Sequence, residues 1–167
     1  MRRVGTLHCI ASVCLSAAFA AGCSESVPDN SACRNLVYGS TGLSRKQYLP
    51  CAGEMIAALD TLERQSQAAW GGDQHSRTQG QITLGRLQSL MRAAGGRSLL
   101  ERWDDRALTD LNLDISNAVT KYQAFYRVRI VDPPAPYAAT TRAAAESELS
   151  GASRRYQEAR TLYRQLQ

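Results

Sequence analysis

Apolar residues recur at steps of three and four along four stretches of the chain, the spacing that places them on one face of an α-helix. The positions between them are mostly polar, so each helix is expected to bury a single stripe. Ser66 is the one polar member of these stripes. The stripes comprise Cys51, Met55, Leu59, Leu62, Ser66 and Ala69; Ile82, Leu87, Leu90, Met91 and Ala94; Leu108, Leu111, Ile115, Val119, Tyr122 and Tyr126; and Ala145, Leu149, Ala152, Tyr156, Ala159, Tyr163 and Leu166.

Capping and helix-breaking residues indicate where the first two helices begin and end. Ser44 and Gln47 have the spacing of a capping box, and Pro50 suits the first turn of a helix. Paired glycines at 71–72 and 95–96 are expected to end the first and second helices.

Similar signals mark the remaining boundaries. Asp73 or Ser76 is expected to begin the second helix. Residues 98–101 have a second capping-box pattern, which opens either a short helical turn or the long third helix itself. Asp104 is then the expected cap of the main stretch.

The end of the third helix and the start of the fourth are separated by prolines. Three prolines within 133–136 cannot continue a helix, and Thr140 or Thr141 is expected to cap the last one. Only residues 126–131 have a competing strand pattern. Four helices with one apolar stripe each bury those stripes best around a common core, so the predicted fold is an all-α, antiparallel four-helix bundle.

The N-terminus has the three-part organisation of a secretory signal peptide. Arg2 and Arg3 precede an apolar run that is shorter and richer in alanine and serine than a membrane span, and small residues close it. Residues 18–20 satisfy the plain A-x-A cleavage rule, which would release a soluble protein.

Residues 20–23 (Ala-Ala-Gly-Cys) support a different processing. They resemble the lipobox of bacterial lipoproteins, although Ala20 stands where that family prefers leucine. The resemblance covers these four positions and the apolar run before them. It implies that Cys23 receives a lipid and becomes the first mature residue. With Ser24 rather than aspartate after it, it implies an outer-membrane location facing the periplasm.

The number of cysteines agrees with lipidation. Two of the five cysteines leave with the signal peptide, so a lipid on Cys23 leaves Cys33 and Cys51 as a pair. A disulfide that joins these two cysteines would hold the irregular segment that separates them against the first helix. The alternative is two free thiols. Residues 24–32 contain little that a core could bury and are expected to form a flexible tether.

The chain therefore divides into a lipoprotein signal peptide (1–22), a lipid-anchored tether with an irregular segment (23–43) and a helical bundle domain (44–167). The formal net charge is +5, and Arg2 and Arg3 account for two of these charges. Such a mild excess does not suggest a nucleic-acid partner.

Few residues have the spacing of a catalytic or metal site. His75 is the only histidine after the signal peptide, and a loop histidine next to glycines is usually solvated. Asp104 and Asp105 suit the positive end of a helix dipole, and the pair Asp110 and Asp114 is expected to form a solvated rim. We therefore expect no enzymatic activity, no metal and no cofactor.

Arginines near tyrosines give the third and fourth helices a composition that is common at protein interfaces. Such a surface would contact a protein partner or anionic headgroups; the alternative is a basic solvated face with the tyrosines in the core. The candidate residues are Arg127, Arg129, Arg154, Arg155, Arg160 and Arg164.

Three functions from different classes follow. The first is a lipid-anchored binding or adaptor module for another envelope protein. The second is a protective or inhibitory lipoprotein that acts against an exported enzyme or toxin. The third, an enzyme or small-ligand carrier, requires a polar cavity, whereas the stripe residues predict a filled core.

Overall fold

A computed structural model describes residues 27–34, 36, 44–95, 105–130 and 138–167, and for residues 129, 130, 138 and 139 it describes the backbone alone. Within these ranges the chain forms four helices and no strand: α1 (Arg45–Trp70), α2 (Gln74–Ala93), α3 (Arg106–Ile130) and α4 (Ala138–Leu166). The four-helix bundle fold is thus confirmed. None of these helices is long and apolar enough to span a membrane.

Contacts between helices define their relative directions. Among the residue pairs that contact each other, the residue numbers in α3 rise with those in α1, whereas the numbers in α4 fall as those in α1 and α3 rise. α4 is therefore antiparallel to both α1 and α3. The most extensive packing joins α1 to α2 and α3 to α4. The contacting pairs are Arg45–Asp105, Tyr48–Asn112, Ser66–Tyr126, Asp60–Tyr156, Lys121–Glu148 and Asp114–Arg155.

The core contains the predicted stripes of α1 and α3 in full, but α2 differs from the prediction. Ile82 was expected inside, yet it is 49% exposed. Leu84 is buried in its place, together with Gly80 and Leu87. Gly80 lies against the hydroxyl of Tyr126, and this close approach turns the face containing residues 80, 84 and 87 inward. Ile82, two residues from Gly80, consequently points outward.

Several helix boundaries also differ from expectation. α3 begins at Arg106, with the Asp105 carboxylate accepting a hydrogen bond from the Ala107 N–H at 3.1 Å; Asp104 lies outside the described residues. α3 continues to Ile130, so the strand pattern at 126–130 is overridden by the burial of Tyr126 against α1 and α2. Pro50 lies in the second turn of α1, not the first.

The start of α4 is earlier than predicted. The helix already includes Ala138, so Thr140 and Thr141 lie within it and are not its caps. Alanines at 145, 152 and 159 recur every seven residues and are all buried. These small side chains belong to the core-facing side of α4.

Three residues connect α1 to α2. Gly72 has a φ of 106°, which a residue with a side chain rarely adopts. This conformation lets the Asp73 N–H donate to the Ala68 carbonyl at 3.1 Å and so close α1. The carboxylate of Asp73 in turn accepts a hydrogen bond from the His75 N–H at 3.0 Å and caps α2. One aspartate thus ends one helix and begins the next.

The segment before α1 is fastened to that helix by a disulfide and a carboxylate. Cys33 and Cys51 are disulfide-bonded, as predicted, with their Cα atoms 4.6 Å apart. Glu54 accepts hydrogen bonds from the Ser31 hydroxyl at 2.6 Å and the Ala32 N–H at 2.7 Å.

The fastened segment extends further towards the N-terminus than the sequence indicated. Val27 is buried in the core and Ser31 is also buried. Residues 27–32 therefore do not behave as the flexible tether that their composition suggested. Residues 1–26, including the lipobox and Cys23, lie outside the described part.

Replacing both cysteines, Cys33→Ala with Cys51→Ala, should lower the free energy of unfolding by roughly 3 kcal/mol, because the disulfide restricts an unfolded loop of this size. Urea denaturation of the two proteins measures the difference. Reductant should destabilise the wild type only. Equal midpoints without reductant would show that the bond contributes nothing to stability.

Two glycines of α2 should respond oppositely to alanine. A Cβ at Gly80 would lie 1.7 Å from the buried Tyr126 hydroxyl, so we expect Gly80→Ala to destabilise by about 1–3 kcal/mol. Nothing lies within 4 Å of a Cβ at Gly85, so Gly85→Ala should stabilise by up to about 1 kcal/mol through helix propensity. Thermal unfolding of both variants checks the pair, and stabilisation by Gly80→Ala would contradict this packing.

Candidate functional site

A row of polar residues on α1 meets three buried tyrosines of α3 and α4. The α1 residues are spaced three apart and therefore share one face of the helix. We call these six residues the tyrosine row; its hydrogen-bonded pairs are Asp60 with Tyr156 at 2.5 Å, Glu63 with Tyr122, and Ser66 with Tyr126 at 3.0 Å.

Glu63 is the most highly coordinated member of the row. Its carboxylate accepts hydrogen bonds from the Tyr122 hydroxyl, from the Ser153 hydroxyl at 2.9 Å and from the Gln67 amide at 3.1 Å. Burial of Tyr122, followed by its hydrogen bond to Glu63, raises the pKa of Tyr122 far above its usual value. At neutral pH Tyr122 is therefore a fixed donor, and Glu63 joins α1 to α3 and α4 at once.

Asp60 forms the second carboxylate contact. It accepts from the Tyr156 hydroxyl and from Arg64, whose guanidinium lies at 2.7 Å. The Tyr156 hydrogen bond is the main cause of a lowered pKa of Asp60. Burial, then the bond to Asp60, raises the pKa of Tyr156 to about 12. Asp60 is thus an ionised acceptor and Tyr156 a neutral donor over a wide range of pH.

The sequence placed the tyrosines in the core but did not identify their partners. A buried tyrosine hydroxyl normally finds a hydrogen-bond partner, and Ser66 was visible as a polar gap in the α1 stripe. Asp60 and Glu63 are positioned beside that stripe, six and three residues before Ser66, respectively. Their role as tyrosine partners depends on which helix packs against that face of α1. The periodicity of a single chain segment does not specify the neighbouring helix.

The hydrogen bonds of the tyrosine row join its members to one another. A fourth pair continues the pattern towards the start of α1, where the buried Tyr48 hydroxyl donates to the Asn112 side-chain oxygen at 2.9 Å. Each buried hydroxyl is thus satisfied inside the bundle, and the row acts as a structural joint between α1 and the α3–α4 pair.

The structure separates the predicted arginines instead of gathering them into one patch. Arg127 is exposed on α3, and the side chain of Arg129 lies outside the described part. Arg154 is exposed on the outward face of α4, whereas Arg155 turns towards α3. Arg160 and Arg164 line a groove on the side of α4 that faces α1.

The α3–α4 seam is built around Arg155. Its guanidinium contacts Asp114 at 3.2 Å and Glu158 at 2.8 Å. Asp114 was expected in a solvated rim, but its side chain is only 18% exposed, and burial is the first cause of a raised pKa of this carboxyl. Leu113, next to Asp114, is 44% exposed. A shallow groove on α4 adjoins Glu158, lined also by Arg154, Gln157, Thr161, Leu162 and Gln165.

A second groove lies between the middle of α1, at residues 53–60, and the last turns of α4, and has a volume of about 280 Å³. Arg160 and Arg164 line it, and the Arg160 guanidinium lies 5.9 Å from the centre of the Tyr156 ring. Neither arginine forms an ion pair with any residue that the structure describes. The other lining residues are Gly53, Ile56, Ala57, Asp60, Tyr156, Tyr163 and Gln167.

The remaining candidate groups of the sequence are exposed. His75 lies in the first turn of α2 with its side chain in solvent, and Asp110 on α3 is exposed as well. Within the described residues, no group of three or more histidine, cysteine, aspartate or glutamate side chains is placed to hold a metal ion.

Comparison with protein-family models, with curated proteins and with solved structures gives no match to this chain.

Tyr156→Phe should change how stability depends on pH. A lowered folded-state pKa of Asp60 contributes stability that is present above about pH 4 and lost as the pH falls; the raised pKa of Tyr156 contributes below about pH 10 and is lost above it. The variant should therefore be less stable by roughly 1 kcal/mol near neutral pH, with a smaller difference at both extremes.

Urea unfolding between acid and alkaline pH measures this difference. Tyr163→Phe is the matched control, because the hydrogen bond of the Tyr163 hydroxyl is with the Gln167 amide, at 2.8 Å, and therefore involves no carboxylate that could titrate. A gap between wild type and Tyr156→Phe that stays constant at every pH would contradict the coupling of Asp60 to Tyr156.

Proposed function

We propose that this protein is a lipid-anchored module of the bacterial cell envelope that binds another envelope protein through the α3–α4 seam, without enzymatic activity of its own. The observation that carries the proposal is Leu113, which is 44% exposed and directly precedes Asp114 in α3, the helix that contributes Asp114 to the charge cluster with Arg155 and Glu158. Protein interfaces commonly combine a large apolar side chain with arginine in this way.

The geometry of the seam supports a binding role. Arg155 is held in place by two carboxylates, so little side-chain entropy remains to be lost when a partner docks. Leu113 is one of two large apolar side chains that are strongly exposed in the described part of the chain. The adjoining groove on α4 offers Leu162 as a second apolar contact.

The cysteines support the anchor. Cys33 and Cys51 are bonded to each other, so once the signal peptide is removed no other cysteine of this chain remains to pair with Cys23. A lipid on its thiol accounts for a cysteine that would otherwise be free in an oxidising compartment. The lipobox resemblance and the number of cysteines therefore favour the same residue.

Crosslinking in intact cells, followed by purification of the full-length protein, should capture one main envelope protein. Leu113→Asp should reduce the captured amount about tenfold or more, since truncating a central interface contact commonly costs more than about 1.4 kcal/mol. Ile82→Asp is the matched control, because Ile82 is similarly exposed but lies on α2. It should leave capture unchanged.

The outcomes separate the candidate functions. Equal capture by wild type and Leu113→Asp would exclude the seam as the binding surface. Loss of capture with Cys23→Ala would show that the anchor is needed to bring the partners together. Capture that occurs only when cells are challenged by an exported enzyme or toxin would instead support a protective or inhibitory role.

A further inference from the structure

We propose that the groove between α1 and α4 binds the phosphate of an anionic phospholipid in the membrane that holds Cys23, with Arg160 and Arg164 as its ligands. This inference rests on the proposed lipid anchor. It assigns these two arginines to the membrane and leaves the α3–α4 seam free for a protein partner.

The first argument is the reach of the chain. Four Cα–Cα steps separate Cys23 from Val27, so Val27 lies at most about 14 Å from the lipidated residue. Val27 is buried against the bundle, and Cys33 is covalently joined to Cys51. The chain therefore has no long tether between the anchor and the segment that the disulfide fastens to α1, which places that part of the bundle near the membrane surface.

The second argument is the position of the groove on α1. Gly53 and Ile56 form part of its wall, and between them Glu54 holds Ser31 and Ala32. The attachment of the N-terminal segment, at Cys51 and Glu54, thus overlaps along α1 with the groove, which begins at Gly53. Whatever brings this end of the bundle to the membrane brings the groove with it.

The third argument is charge. Asp60 is the one acidic side chain in the groove; Arg64 and the Tyr156 hydroxyl hydrogen-bond to it, and the charge of Arg160 also helps to lower its pKa. Arg160 and Arg164 form no ion pair among the described residues, and two guanidinium groups with one carboxylate leave the groove with net positive charge. A guanidinium donates two parallel hydrogen bonds to phosphate oxygens, which makes arginine the side chain best suited to this ligand.

The fourth argument is the surface that Tyr163, on the same helix as the two arginines, forms with α1. A Cβ at Gly53 would lie 2.5 Å from the Tyr163 hydroxyl, so the absence of a side chain at Gly53 allows Tyr163 to pack over α1. Ile56 and Ala57 continue this surface. An apolar wall with a tyrosine beside two arginines matches the chemistry of the headgroup layer, where aromatic and cationic residues are enriched.

Hydrogen exchange on the full-length lipidated protein tests this proposal. The protein is reconstituted in vesicles of phosphatidylcholine alone or of equal parts phosphatidylcholine and phosphatidylglycerol, and exchange is followed at residues 156–167 by mass spectrometry. Anionic vesicles should slow exchange there by about fivefold for each arginine engaged, and salt should reverse the effect.

A matched pair of variants completes the design. Arg160→Gln with Arg164→Gln should abolish the difference between the two vesicles, whereas Arg127→Gln with Arg154→Gln removes the same charge elsewhere and should keep it. Equal exchange of the wild type on both vesicles, or unchanged protection in the first variant, would overturn the proposal. Protection by inorganic phosphate in zwitterionic micelles would also overturn it in favour of a free-anion site.

The intact mass of the same preparation reports on the anchor separately. A missing lipid mass on Cys23 would remove the proposed anchor. Co-sedimentation of that unlipidated protein with anionic vesicles would then test whether the groove binds anionic phospholipid without the anchor. Failure to sediment would exclude phospholipid binding by the groove.

Discussion

Four buried tyrosine hydroxyls impose the main constraint on this bundle. A hydroxyl that loses water on burial and gains no partner costs about 1–3 kcal/mol, so each of these side chains must meet a polar group from another helix. Tyr48, Tyr122, Tyr126 and Tyr156 do so at successive levels along α1. A slip of α1 by one turn would separate several of these pairs together, and the register of α1 against α3 and α4 is defined for that reason.

The other parts of the molecule are arranged around this register. Gly80 leaves the space that Tyr126 occupies, which determines the inward face of α2 and exposes Ile82. The tight turn at Gly72 and Asp73 returns the chain directly alongside α1. At the other end, Glu54 and the disulfide fasten the N-terminal segment to α1, so that helix is the element to which every other part attaches.

Two separate surfaces of α4 contain arginines that the tyrosine row does not use. Arg155 and its carboxylates lie at the seam with α3, and Arg160 with Arg164 lies at the groove with α1. The two proposals therefore do not compete for the same residues. A protein whose groove faces the membrane that anchors it would still present its seam to another protein.

The sequence alone determined the number of helices, the buried stripes of α1 and α3, most of the α4 stripe, and the pairing of Cys33 with Cys51; Tyr163 and Leu166 of the α4 stripe are only partly buried. These features depend on local periodicity and on the number of cysteines, which need no knowledge of neighbouring helices. Tertiary structure decided that Leu84 and not Ile82 is buried, that Asp60 and Glu63 are the partners of tyrosines, and that the arginines fall into separate groups. Each of those outcomes depends on the register and rotation of one helix against another. Contacts between residues distant in sequence determine that register and rotation. The spacing of residues within a single helix does not specify either of them.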